Sequence, residues 1–236
     1  MPPRARACAL LVLAACLPLP AQEPESAPPA NTNFVLKTIT NGVFEIGRVR
    51  LDQQRRAVTL PAFVNLRDGA LEYLLVTSNG KTHESLLRTD AEPYHIHVAM
   101  LLLGARTAGT NALSEAPADS IPGERILVEV AWKKKSKQFR ARAETFVLDR
   151  KRRIPMSKGD WVYNGSRLRE DGFAAQFDGS IISLITDPDA LVNNPRPGRE
   201  DDDNWLAKPG KLPAFNEPVE VIITIASPGA GASLPR

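Results

Sequence analysis

Cysteine is nearly absent: of 236 residues only Cys8 and Cys16 carry a thiol, and both fall in the opening segment. The body of the chain therefore has no disulfide, thiolate zinc site, cysteine nucleophile or iron–sulfur cluster, and no such cofactor is expected. Long apolar runs are scarce too. The run at 7–19 falls short of the about 20 residues that a hydrocarbon core requires, and nothing later is longer. Histidine occurs three times and aromatics make up 6% of the chain. Strong charge of one sign is missing as well. The net charge is +3, and removing Arg4 and Arg6 leaves 28 basic residues against 27 acidic, which excludes a polyanion binder acting through the whole molecule.

Proline is plentiful, with 20 in the chain. The first residues read as a basic stretch holding Arg4 and Arg6, a short apolar run, and a small residue, Ala21, at a cut site. This is the pattern of a secretory signal over 1–21. Within it, Leu13-Ala14-Ala15-Cys16 resembles a bacterial lipobox, so two readings stand: lipidation of Cys16, which would anchor the chain to a membrane, or cleavage after Ala21. Residues 22–33 are polar and proline-rich, which suits a flexible spacer. An exported location, periplasmic or lipid-anchored, follows from either reading, and it makes nucleic acid an unexpected partner.

Beyond residue 33 the chain reads as one unit, 34–230, of short β-like runs punctuated by Gly, Pro, Asn and Asp. Such runs cover 44–50, 57–65, 71–78, 126–132, 138–148, 161–165, 173–177, 181–186 and 219–226. Apolar residues at Ile126, Val128, Val130 and Trp132 alternate with less apolar ones, as in a strand with one buried face. A helix is expected at about 91–103, capped by Thr89 or Asp90, with Pro93 in its first turn and Gly104 past its end. It is apolar on nearly every side, so burial on most faces is expected. A short helical turn is expected at 188–192. The fold class is thus α+β, a predominantly antiparallel β-sheet around one buried core helix.

Three local features point toward chemistry. Asn79-Gly80 is the pair that a two-residue type I′ hairpin prefers. Such a hairpin would set Val76 opposite His83 and aim Lys81, His83 and Ser85 at one face. The histidines His83, His95 and His97 cluster within fifteen residues. His95 and His97 stand about 200° apart on a helix, so only one of them can join His83 in holding a metal, with Glu84 or Asp90 as a carboxylate partner. A hydrolytic arrangement would need Ser85 beside a histidine and an acid, but no Gly-x-Ser-x-Gly elbow is present. Lastly, eleven Lys/Arg and three Asp/Glu lie between Trp132 and Trp161, with runs at Lys133, Lys134, Lys135, Lys137 and at Arg150, Lys151, Arg152, Arg153. These suit either solvated loops or a patch for an anionic surface.

The strings Val58-Thr59-Leu60-Pro61-Ala62, Leu71 to Val76, Gly80-Lys81-Thr82-His83-Glu84-Ser85-Leu86-Leu87, and Pro93 with His97 to Gly104 resemble the YdjY-type domain family of exported bacterial proteins. Echoes follow at Asp187-Pro188-Asp189-Ala190-Leu191 and Pro218-Val219. The likeness implies one unit over about 44–226, with His83, Glu84, Ser85 and His97, but not His95, as its polar positions; Lys81 stands beside them in the same string. It supplies no activity. Three functions remain open: a non-catalytic binding or envelope-associated module, a metal or hydrolytic site around 80–85 with His83 and His97, and an anionic-surface binder using the basic residues of 133–153.

Overall fold

The computed structural model describes residues 34–108, 113 and 120–226; the signal segment with Cys16 and the 22–33 spacer lie outside them. In chain order the described elements are β1 (Leu36–Thr40), β2 (Val43–Ile46), β3 (Val49–Asp52), β4 (Ala57–Val64), β5 (Tyr73–Thr77), β6 (Ser85–Thr89) and the helix α1 (Pro93–Leu102). They continue as β7 (Glu124–Lys134), β8 (Lys137–Arg142), β9 (Val147–Asp149), β10 (Ile154–Pro155), β11 (Trp161–Tyr163), β12 (Leu168–Arg169) and β13 (Gly172–Phe173). The short helix α2 (Ala174–Asp178), β14 (Ser180–Ser183), β15 (Val192–Asn193), β16 (Trp205–Ala207) and β17 (Pro218–Ile225) complete the set.

Strand pairing runs β4-β17-β7-β11-β15-β14-β5-β6, and β6 pairs back onto β4, which closes an eight-stranded barrel. The fold is strand-rich with one long helix. Its sheet is mixed, because β5–β6 and β14–β15 are parallel. One edge of β4 serves two partners, β3 at 57–59 and β6 at 63–64. Pro61 sits between them, and its carbonyl accepts from Thr89 Oγ1 at 2.5 Å. In a strand the N–H and C=O of one residue point the same way, so proline occupies the position where no backbone donor is called for. The β1–β2–β3 meander extends from the barrel at this edge.

The barrel wall has two characters. In β4, β17 and β7 burial alternates, with Val58, Leu60, Ala62, Val64, Val219, Val221, Ile223, Ile225, Ile126, Val128 and Val130 enclosed. Each of the Val, Leu and Ile side chains contributes about 1.5–3 kcal/mol on burial. In β5, β6, β11, β14 and β15 almost every residue is buried, so these strands do not alternate, and β6, β14 and β15 enclose the polar residues Ser85, Thr89, Ser180, Ser183 and Asn193 among their apolar ones. A separate three-stranded sheet, β10-β9-β16, joins the barrel through Leu71 N donating to Trp205 O at 2.9 Å.

Several expectations are corrected. The hairpin at Asn79-Gly80 does not form: β5 and β6 run parallel, pairing Tyr73 with Ser85 and Leu75 with Leu87. Neither turn residue has the positive φ that type I′ requires. The competing register wins because this part of the wall is buried on both faces. It accepts Ser-Leu-Leu-Arg-Thr as its strand, whereas the hairpin would have put Lys81 and His83 there. Gly80 serves a different purpose, since a Cβ on it would stand 3.3 Å from Gly179 Cα, so two backbones meet closely at this point. The helix is shorter than 91–103 and less enclosed. It packs on β3 and β4 through Pro93, His95, Ile96, Ala99 and Met100, leaving Leu101 and Leu102 45% and 47% exposed. Its first turn begins after Glu92, not with a Thr89 or Asp90 cap, because the Thr89 hydroxyl is committed to Pro61 O and to Ala91 N. The run 173–177 becomes mostly α2, ended by Gly179 at φ +69°, and 188–192 is a turn leading into β15.

Candidate functional site

The parallel register fixes where the 80–85 string lies. The chain leaves β5, doubles back through residues 78–84, and enters β6 beside the start of β5. Glu72 N donates to Glu84 O at 2.9 Å and Ser78 N to Thr89 O at 2.8 Å. A single 3₁₀ turn, Thr82–Glu84, makes the reversal possible within seven residues. Asn65, which the sequence reading passed over, holds this turn by donating from Nδ2 to Thr82 O at 2.5 Å and Ser85 O at 2.7 Å.

Lys81, His83 and Ser85 consequently do not share a face. Lys81 Nζ donates to the Tyr73 hydroxyl at 2.9 Å, and that hydroxyl donates to Asp187 Oδ2 at 3.0 Å. Burial, and then the charge of Asp187, pushes Tyr73 up to about 12, and the bond to Tyr73 raises Lys81. Both groups keep their protons near neutrality, so the amine is an ion-pairing and tethering group and not a nucleophile. Ser85 is fully buried with Oγ donating to Lys81 O at 2.5 Å, which leaves it no base to activate it and no path to a substrate. His83 is 78% exposed, with Glu84 Oε2 at 3.5 Å as its charged neighbour. Glu84 also faces Glu72, whose carboxyl is pushed up by burial and then by the Glu84 charge.

His97 lies elsewhere. It projects from α1 against Phe173, with ring centroids 4.9 Å apart, and its Nδ1 is 2.8 Å from the Tyr163 hydroxyl. Burial pushes His97 down to about 4, so the ring is neutral at ordinary pH. His95 is buried against the backbone of Gly47, whose φ is +55°. Among the described residues no group of three or more His, Cys, Asp or Glu is gathered as metal ligands. Tyr73, Tyr163 and Asn65 were missed because nothing local marks them. Asp187 had a signal, the Asp-Pro-Asp string, whose first carboxylate accepts from Asp189 N at 2.8 Å.

A family model, the YdjY domain, matches residues 49–224. The chain belongs to the YdjY domain family. No curated protein and no solved structure matches it. The YdjY match opens at β3 and ends in β17, so it contains the whole barrel and leaves β1 and β2 outside.

Within that YdjY span the two basic runs have different surroundings. In the second run, Lys151 pairs with Asp201 and Arg150 N donates to Asn204 O at 2.8 Å in the acidic 201–204 loop, Arg152 Nη1 meets Asp149 Oδ2 of β9 at 2.9 Å, and Arg153 is exposed at φ +57°. The run 133–137 forms the end of the β7–β8 hairpin, with Lys134 directly opposite Lys137 and Lys135-Ser136 as the turn. Among the described residues Lys133, Lys134, Lys135 and Lys137 are exposed and have no acidic partner, whereas Arg140 behind them pairs with Glu129. Lys135 has φ +54°, a left-handed position that glycine ordinarily fills.

Proposed function

We propose that this YdjY-domain protein is an exported, non-catalytic binding module that docks on an anionic surface through the β7–β8 arm. The observation that carries the reading is the Lys134–Lys137 pair. Like charges directly opposite in a sheet are destabilising by a few tenths to about 1 kcal/mol, and a lysine in a left-handed turn adds a further cost. Four cations with no internal partner, held at the end of a rigid hairpin, match a partner that brings negative charge from outside. The polar string 80–85 supports the non-catalytic side of the reading, since Lys81 and Ser85 are bound up in holding the β5–β6 connection. Of the second basic run, Arg150 and Lys151 bond to the 201–204 loop and Arg152 to Asp149.

The test is retention on dextran sulfate across a salt gradient. Wild type is expected to elute later than a Lys133→Gln/Lys134→Gln/Lys135→Gln/Lys137→Gln variant, with the difference shrinking as salt rises. Co-elution of the two at low salt would reject the arm as the docking element.

A further inference from the structure

The face of the arm that carries the lysine pair also carries aromatic surface. Along β7 the even-numbered residues Ile126, Val128 and Val130 point to the core, and Trp132 and Lys134 continue that row outward. Their cross-strand partners are Ala141, Phe139 and Lys137 for Val130, Trp132 and Lys134 respectively. Trp132 and Phe139 stack with centroids 5.5 Å apart and planes 13° from parallel, and Trp132 meets buried Phe146 edge-on at 5.9 Å. Phe139 remains 39% exposed and Trp132 is half-buried. The hairpin face is therefore graded: enclosed aliphatics, then a rigid aromatic plate, then two ammonium groups at the tip.

Resting on the anionic-surface reading, we infer that the partner is a lipid bilayer with anionic headgroups, with Trp132 and Phe139 entering the interfacial layer while Lys133, Lys134, Lys135 and Lys137 meet the phosphates. A solvated acidic polymer would use the lysines and gain nothing from the aromatic plate. A bilayer interface uses both, because flat aromatic rings partition to headgroup depth and nearby cations gain about fivefold in binding apiece from an anionic surface. The plate is pre-ordered by its contact with Phe146, so little conformational freedom is lost when it inserts. No described helix is long and apolar enough to span a membrane.

The experiment uses the position of the three tryptophans. Trp161 and Trp205 are enclosed in the protein, at 0% and 1% exposure, so only Trp132 can meet a quencher carried on an acyl chain. Full-length protein is mixed with phosphatidylglycerol vesicles whose acyl chains are brominated, with phosphatidylcholine vesicles as the uncharged control. Quenching of tryptophan emission on phosphatidylglycerol, lost in Phe139→Ser and in Lys134→Gln/Lys137→Gln, is the expected result. The lysine variant leaves packing untouched, so its loss of signal is not a loss of fold, and near-ultraviolet circular dichroism checks Phe139→Ser. Equal dextran sulfate retention for wild type and Phe139→Ser, with no quenching on vesicles, would overturn the bilayer and leave the anionic-surface reading. Absence of salt-sensitive retention on either material overturns both.

Discussion

At the scale of single residues, His97 carries a pH dependence that can be worked out in sign. The buried Tyr163 hydroxyl has one acceptor, His97 Nδ1, so its proton goes there and the neutral ring keeps its own proton on Nε2. With a folded value of about 4 against about 6.5 unfolded, the unfolded chain binds the extra proton between those limits. Stability from this group is complete above about pH 6.5 and is lost as pH falls toward 4, by roughly 3 kcal/mol in all. Urea midpoints over that range should fall with acidity in wild type and fall less in His97→Gln. Parallel curves for the two proteins would show that another group is responsible. A second residue-scale prediction concerns Gly179. An added Cβ would overlap Thr77 Oγ1 and stand 2.9 Å from Gly80 Cα, on a backbone at φ +69°. Gly179→Ala should cost about 2–4 kcal/mol by denaturant titration.

At the scale of elements, the arm trades stability for charge. Lys137→Glu would set a carboxylate opposite Lys134, and Lys135→Gly would relieve the left-handed turn. Each should raise the melting temperature, by an amount equivalent to a few tenths to about 1 kcal/mol, while weakening retention on an anionic matrix. A drop in melting temperature for both would mean that the hairpin end is already optimal as built. The arm was partly legible from sequence: the alternation through Trp132 and the basic run were plain, and both describe one hairpin. What local pattern could not supply was the neighbour. Lys133–Lys137 and Arg150–Arg153 look alike as strings, and only the fold brings Asp201 to Lys151 and no acid to Lys134. The same gap explains Asn79-Gly80. Its turn preference is real but small, and burial of Leu86 and Leu87 on the two faces of the wall, at about 1.5–3 kcal/mol per side chain, outweighs it. For the polar string, the expected shared face does not form, because the parallel register turns Lys81 toward Tyr73 and encloses Ser85.

For the molecule as a whole, barrel and small sheet are joined at a buried charge cluster that no local motif announces. Glu144, in the 3₁₀ turn between β8 and β9, is fully enclosed, and its Oε1 accepts from Arg142 Nη2 at 2.8 Å, Arg196 Nη2 at 2.8 Å and Gly159 N at 3.2 Å. Arg196, just past β15, also donates to Asn194 Oδ1 at 3.1 Å and Ser157 O at 2.6 Å, and its guanidinium lies 5.0 Å from the ring of Trp161 in the barrel wall. One carboxylate thus links the segment feeding β9 to the end of β8 and to the segment that follows barrel strand β15. A buried pair of this kind need not exceed an apolar replacement in stability, but losing one partner leaves the other charge enclosed and uncompensated. Glu144→Ala should therefore cost about 3–5 kcal/mol, and Glu144→Ala/Arg196→Met should recover much of that loss, the coupling being read from a double-mutant cycle in urea. Additive costs for the two substitutions would show that the cluster is not one electrostatic unit. In that event the barrel and the β10-β9-β16 sheet would be held together by their backbone bonds and apolar contacts alone.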